Sequence, residues 1–242
     1  EGVGFELQAN ELYVGECFQQ YFVKEYASVM LTSATLESLG SIDNFTNRLA
    51  IDKHNIGNVI KCFPSPFNYE KAQLSTPIFT GNPNEEKHHR VVYNQLVQLK
   101  ARHKAILVLF TAKSALEKTF ALCSPELKKQ ILCQQHFSKS ELIKQHKKSI
   151  DSGETSILFG VDGLSEGIDL PKHYLTCVVI TKLPFPRLSS PLLSYETMCA
   201  KALNLNAFSS LMLPMCSQKL IQSVGRLIRT EEDHGEVIVL DP

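Results

Sequence analysis

The stretch Ala105-Ile-Leu-Val-Leu-Phe110-Thr111-Ala-Lys113-Ser114 runs six apolar residues into a hydroxyl and then into good helix formers. An apolar run without polar alternation is the pattern of a strand buried on both faces of a sheet, and a helix directly after it returns the chain to the starting edge. Similar runs recur at 29–32, 78–80, 130–133, 156–161, 176–181 and 236–240. Segments with helical period or good helix formers lie between them at 85–102, 114–122, 138–150, 192–205 and 217–228. This alternation predicts an α/β fold with a parallel sheet covered by helices on both faces. Asn84 before Glu85 and Glu86 reads as a helix cap, and Ser138 with Glu141 has the spacing of a capping box. Pro64, Pro66 and Pro77 mark 46–77 as a connector.

Composition narrows the function classes. Twenty-five Lys and Arg balance 25 Asp and Glu over 242 residues, so nucleic-acid binding must rest on local residues and not on a global basic field. The longest apolar runs fall far short of the ~20 residues needed to span a bilayer, and no basic-then-apolar signal opens the chain. Neither a membrane nor secretion is expected. Seven cysteines, an odd number without a Cys-x-x-Cys pair, point to reduced core residues in a cytoplasmic protein, with no metal site in this chain.

Four segments could carry chemistry. In Gln222-Ser-Val-Gly225-Arg226-Leu-Ile-Arg229, two arginines three residues apart read as projecting from one helix face, with Gly225 allowing close backbone approach. Arginine is permanently charged and presents a planar fork of donors, so the pair suits a phosphoryl group as well as it suits a solvated helix. Gly160-Val-Asp-Gly-Leu-Ser165-Glu166-Gly167-Ile-Asp169-Leu-Pro171 follows a strand, where ligands of doubly wound sheets bind. It also contains Gly163-x-Ser165-x-Gly167, the nucleophile elbow of serine hydrolases, but Pro171 leaves no room for the long helix that elbow requires. Leu31-Thr32-Ser-Ala-Thr35-Leu36 and Phe110-Thr111-Ala-Lys113-Ser114 place hydroxyls where strands are read to end, as helix caps or as phosphate donors. Nowhere does Gly-x-x-x-x-Gly-Lys-Ser/Thr occur, so the chain by itself is not expected to cradle a nucleotide's phosphates and magnesium.

Taken in order, Thr32-Ser-Ala-Thr35-Leu36, Leu109-Phe-Thr111 with Ser114, Phe159-Gly-Val with Glu166-Gly-Ile-Asp169, Lys182-Leu-Pro-Phe185-Pro186 with Ser190-Pro191, and Gln222-x-x-Gly-Arg226-x-x-Arg229 resemble helicase motifs III, IV, V, the segment after V, and VI. The spacing is similar to that of the DinG/XPD-like branch of superfamily 2, nearest the bacterial DinG pattern at 184–191 and 225–229. The resemblance spans residues 26–242 and is specific in the combination of ordered motifs.

The resemblance implies a RecA-like second motor lobe over 78–242, a remnant of the first lobe over 1–45, and a connector between them. It implies an ATP-dependent DNA helicase that moves 5′ to 3′ on single-stranded DNA in DNA repair. ATP and magnesium would be held mostly by an amino-terminal half that also carries a 4Fe-4S cluster, and this stretch alone would be inactive. By carry-over, Arg226 and Arg229 are arginine fingers and Gln222 positions them or the attacking water. Glu166, Gly167, Asp169 and Gly225 lie at the nucleotide. Thr35, Thr111, Ser114 and Lys182 grip DNA phosphates, while Phe185 either stacks on a base or packs its own loop. The implied partners are single-stranded DNA, the amino-terminal lobe and a single-strand-binding protein. The alternative is a lobe-derived module that binds nucleic acid or a partner without turnover, against which the intact arginines stand.

Overall fold

The computed structural model describes residues 11, 14–78, 81–161, 164 and 168–241. The elements in chain order are α1 (Val14–Phe18), α2 (Asp43–Arg48), β1 (Ala72–Ser75), α3 (Glu86–Leu99), β2 (Ala105–Leu109), α4 (Lys113–Leu122) and α5 (Pro125–Lys128). They continue with β3 (Ile131–Cys133), α6 (Lys139–Asp151), β4 (Ser156–Gly160), β5 (Cys177–Ile180), α7 (Pro191–Ala202), α8 (Leu213–Val224) and β6 (Gly235–Val239). The chain divides into two compact units, Glu1–Phe63 with Phe185–Gln218 and Pro64–Pro184 with Lys219–Pro242.

The larger unit holds a six-stranded sheet in the order β1-β6-β5-β2-β4-β3. Every neighbouring pair is parallel. Strands β2, β4 and β5 are buried along their whole length, which is why they read as unbroken apolar runs. Alternate side chains of β2 serve opposite faces. Ile106 and Val108 pack with Val92 and Leu96 of α3 and Leu116 of α4; Leu107 and Leu109 pack with Leu142 of α6 and with Leu227 and Ile228. A parallel strand buried on both sides is thus built from residues that all look alike in sequence.

Helix boundaries follow local chemistry. The Ser138 hydroxyl accepts from the Glu141 amide at 3.3 Å, so α6 opens with the predicted cap. Asn84 does not cap α3, whose first turn is preceded by Glu85 without a side-chain cap; the Asn84 Oδ1 accepts from Lys182 Nζ instead, at 2.7 Å. The expected helix over 217–228 starts earlier and ends at Val224. Gly225, Arg226 and Leu227 follow as a turn, tied by Gly225 N to Ile221 O at 2.8 Å and Leu227 N to Val224 O at 2.9 Å. Arg226 therefore projects from this turn and Arg229 from the bend that follows it, neither from a helix face.

Two strand expectations also differ. Residues 29–32 form no strand; nothing in the described part of their unit offers them a ladder, and an isolated strand does not persist. Ile78 lies outside any strand, and 79–80 fall outside the described residues. Strand β1 arises within the expected connector, pairing with β6 from Ala72 opposite Gly235 to Ser75 opposite Ile238.

In the smaller unit, Gln19 Nε2 donates to Leu49 O at 3.0 Å and Arg48 Nη2 pairs with Glu196 at 2.6 Å. None of the seven cysteines is in a disulfide, and four of them are buried. Burial pushes the thiols of Cys123 and Cys133 up to about 11 and that of Cys177 to about 12, so they behave as inert core residues.

One buried histidine ties α6 to the sheet. His146 is 0% exposed. Its Nε2 donates to Tyr174 O and its Nδ1 accepts from the Ser156 hydroxyl, both at 2.8 Å. Burial holds its pKa below the ordinary value of about 6.5, outweighing the opposing effect of the Tyr174 hydrogen bond. A folded-state pKa below the unfolded one leaves stability intact above about pH 6.5 and removes it as the pH falls toward the folded value. Thermal unfolding should shift to lower temperature between pH 7 and pH 5. In His146→Gln this pH dependence should flatten while the midpoint at pH 7 drops; an unchanged slope would contradict the role.

Candidate functional site

Parallel pairing forces the link from β4 to β5 to return from the carboxyl end of one strand to the amino end of the next. It begins at Gly160, where an added Cβ would lie 2.3 Å from Leu164 Cδ2 and 2.5 Å from Leu164 Cβ, so glycine is what lets the chain turn this tightly. Farther along, Ile168 is buried and Asp169 is exposed. Arg229 Nη1 donates to Asp169 Oδ1 at 2.7 Å, and Arg226 Nη1 to Ile168 O at 3.3 Å. The structure thus brings Arg226, Arg229 and Asp169 together. Gln222 lies half-buried on the last turn of α8, just before Gly225. Glu166 and Gly167 lie outside the described residues.

The side-chain and backbone parts of this cluster differ in strength. The Asp169 carboxylate is 72% exposed and Arg229 29%, so their ion pair is worth at most about 1 kcal/mol. The backbone beneath it is held by Asp233, which is 2% exposed. Its Oδ2 accepts from the amides of Arg229 and Thr230 and its Oδ1 from the amide of Lys172, each at 2.7 Å. Burial alone would raise this carboxyl's pKa; the amides of Arg229, Lys172 and Thr230 outweigh it and hold the group below its ordinary value. Bonds to a charged acceptor contribute about 1.5–3 kcal/mol apiece. The arginine's backbone is fixed while its guanidinium is held loosely.

A second cluster sits where β2 and β5 end. Thr111, Ser114 and Lys182 line one cleft of about 130 Å³, together with His88, His89 and Lys118. Helix α4 opens here with Ala112 before it and no side-chain cap, so its amino-terminal amides face the cleft's end of the unit. His88 Nε2 donates to Thr181 O at 2.6 Å, which fixes its tautomer when neutral. His89 contacts the Thr119 hydroxyl at 3.2 Å. Its pKa is lowered by burial, then by His88 and Lys118. Lys182 is steadied by Asn84, and the next amide, Leu183 N, donates to Asp241 Oδ2 at 2.7 Å. Hydroxyls, lysines and a helix start on one cleft form an anion-binding donor set.

The remaining candidates lie in the smaller unit. Thr35 sits in a turn where its amide donates to the Ser33 hydroxyl at 3.2 Å. Phe185 stacks on Phe208, with centroids 5.6 Å apart and planes 28° apart, so its ring is engaged in packing within its own unit. Among the described residues, no group of three or more His, Cys, Asp or Glu is gathered for a metal, and no helix is long and apolar enough to cross a membrane.

Residues 96–242, more than half of the chain, match the profile of the helicase C-terminal domain. The chain belongs to this family. It is 34% identical over 239 residues to the "ATP-dependent DNA helicase DinG" of Photobacterium profundum, covering 97% of this chain and 34% of that protein. It is 32% identical over 235 residues to the protein of the same name from Escherichia coli (strain K12), covering 94% and 32%. The chain spans about a third of the length of these relatives. The solved structure "XPD_Helicase" shares the fold at a TM-score of 0.53 and 19% identity, covering 70% of this chain and 31% of that one. "Structure of S. tokodaii Xpd4" does so at 0.52 and 15%, covering 71% and 34%. The sheet is therefore the RecA-like α/β lobe that the motif order implies.

The inward roles of Asp233 and Asp241, and of His88 and His89 just ahead of the matched residues, are not evident from sequence patterning. Asp233 stands in Thr230-Glu-Glu-Asp233-His, which looks like a solvated charge run, and the histidines stand in the charge-rich start of α3. The spacing of His88 and His89 ahead of Val92 and Leu96 could have placed His88 or His89 on the buried stripe of α3.

Proposed function

We propose that this chain is the carboxy-terminal motor lobe of an ATP-dependent DNA helicase that moves 5′ to 3′ on single-stranded DNA in DNA repair. The observation that carries the reading is the placement of Arg226 and Arg229 just after α8 on a backbone that Asp233 fixes, with the Arg229 guanidinium held, among the described residues, by an exposed carboxylate. Such a donor fits the γ-phosphate of ATP bound by another lobe: the phosphate's charge outcompetes a solvated Asp169, and Arg229 transfers from one to the other. Magnesium and the rest of the nucleotide would be held by the amino-terminal half, where a 4Fe-4S cluster also belongs. Asp169, with Glu166, Gly167 and Gly225, would border the nucleotide, and Gln222 would orient the arginines or the attacking water. In this reading 1–45 derives from the first lobe, 46–77 connects, and 78–242 is the second lobe.

Preorganised positive charge that meets the transferring phosphoryl group is stronger in the transition state than in the ground state, which is what accelerates hydrolysis. Drawing the arginines to ATP closes the two lobes, and loss of the γ-phosphate releases them. On the DNA side, the cleft formed by Thr111, Ser114 and Lys182 would hold a backbone phosphate without reading bases. Thr35 would add a contact from the first-lobe remnant. Phe185 would contribute by shaping its loop. A single-strand-binding protein is the further partner of this reading.

Two measurements on the full-length protein test it. Arg226→Ala should lower DNA-stimulated ATP turnover by about 10³-fold, the scale of an arginine finger; turnover near that of wild type would contradict the assignment. Lys182→Ala should weaken single-stranded DNA binding and reduce the slope of log K against log salt by about 0.7, one phosphate contact. An unchanged slope would remove Lys182 from the interface.

A further inference from the structure

The strongest unexplained feature of the larger unit is the buried carboxylate that no ligand-facing role uses. Asp233 bridges two segments separated widely in sequence: the end of the Arg226–Arg229 turn and the start of the short helical turn Lys172–Tyr174. Both segments lead directly to the reacting side of the domain. Arg229 is itself one of the clamped residues, and its partner Asp169 lies three residues before clamped Lys172.

Two further facts show that the clamp holds the backbone against a cost. Lys172 has φ +59°, a left-handed conformation that a non-glycine residue adopts at about 1–2 kcal/mol. Its amide is directed at Asp233 in that conformation. A carboxylate taken out of water is also unfavourable unless its lone pairs are met, and here both oxygens accept charge-assisted bonds. A surface aspartate in the same charge run, had it only a solubilising role, would satisfy neither condition.

We propose that Asp233 is a positioning residue for Arg229: it fixes the arginine's backbone to the Lys172 turn, so that the guanidinium swings between Asp169 and the ATP γ-phosphate from a fixed origin. This rests on the arginine-finger reading above. The loose Asp169 pair and the tight Asp233 clamp then have separate tasks, one setting where the arginine waits and the other setting where it can reach. A displacement of about 1 Å at a catalytic donor is enough to cost 10²-fold in rate, and the Asp233 carboxylate is what joins the Arg229 amide to the Lys172 amide.

Asp233→Asn tests this with almost no change of shape. Its one oxygen can accept either the paired amides of Arg229 and Thr230 or the amide of Lys172, and its NH₂ group meets an N–H on the other side. In the full-length protein, DNA-stimulated ATP hydrolysis is measured for wild type, Asp233→Asn, Arg229→Ala and the double variant, with thermal melting recorded for each. Asp233→Asn should lower kcat by about 10–100-fold with KM for ATP changed by less than about threefold, the signature of a contact made in the transition state. The double variant should be as slow as Arg229→Ala alone, because Asp233 acts through that arginine. A purely structural role predicts that the two losses multiply, and this outcome, or a wild-type kcat in Asp233→Asn, overturns the inference alone. Wild-type turnover in Arg229→Ala overturns the arginine's assignment and the inference with it. Should the asparagine variant not fold, Asp233→Glu, which keeps both oxygens but shifts them by one methylene, runs the same cycle with the same expected non-additivity.

Discussion

Parallel pairing of strands buried on both faces is the constraint from which the rest of this domain follows. Backbone amides and carbonyls of β2, β4 and β5 have no access to water and must be paired with each other, in register, along the full length of each strand. Each connection then has to cross back over a sheet face, and helices supply the apolar stripe that covers it. The turns left over collect at the strand ends. Thr111, Ser114 and Lys182 meet at one cleft because β2 and β5 are adjacent and parallel, although they are far apart in sequence.

The β4–β5 crossover and the turn before β6 are brought together by the same topology, since β6 pairs with β5 from Glu236 opposite Cys177. What the sheet does not supply is precision in these two excursions, and carboxylates supply it. Asp233 ahead of β6 clamps three amides, and Asp241 behind β6 clamps the Leu183 amide next to Lys182. Each sits at an end of a buried strand, where the rigid ladder stops and the functional loop starts. Against these stand the solvent-exposed Arg229–Asp169 pair and the Lys182–Asn84 bond, which in the proposed function are the contacts exchanged for phosphate. Rigid backbone with exchangeable side chains is what a site needs if its charge is to be delivered only when a nucleotide arrives.

Much of this was legible in the sequence. Strands β2, β4 and β5 are unbroken apolar runs because both faces are covered, and the arginines and threonines stood out by motif order. The misreadings have physical causes. Strand β1, Ala72-Gln-Leu-Ser75, is a short edge strand with Gln73 and Leu74 exposed, so its existence depends on pairing with β6 and leaves no periodic trace. The helix expected to reach residue 228 stops at Val224; the sequence overextends it because apolar periodicity continues past its end, Leu227 and Ile228 being buried in the core without being helical. Asp233 lies in a stretch rich in charge, and only the three-dimensional structure shows that its side chain turns inward; His88 and His89 are masked by the charged residues around them, although their spacing to Val92 and Leu96 fits the buried stripe of α3. A hydrogen bond from a side chain to a distant backbone amide has no signature in local sequence.

Whether Arg226 and Arg229 act on a nucleotide held by another lobe is visible in a crystal structure of the full-length protein with ADP and a metal-fluoride mimic of the transferring phosphoryl group. Both guanidinium groups should lie within hydrogen-bond distance of the fluoride, with Arg229 released from Asp169 and the Asp233 clamp unchanged beneath it. An Arg229 still paired with Asp169, with the fluoride approached by neither arginine in a closed complex, would contradict that action.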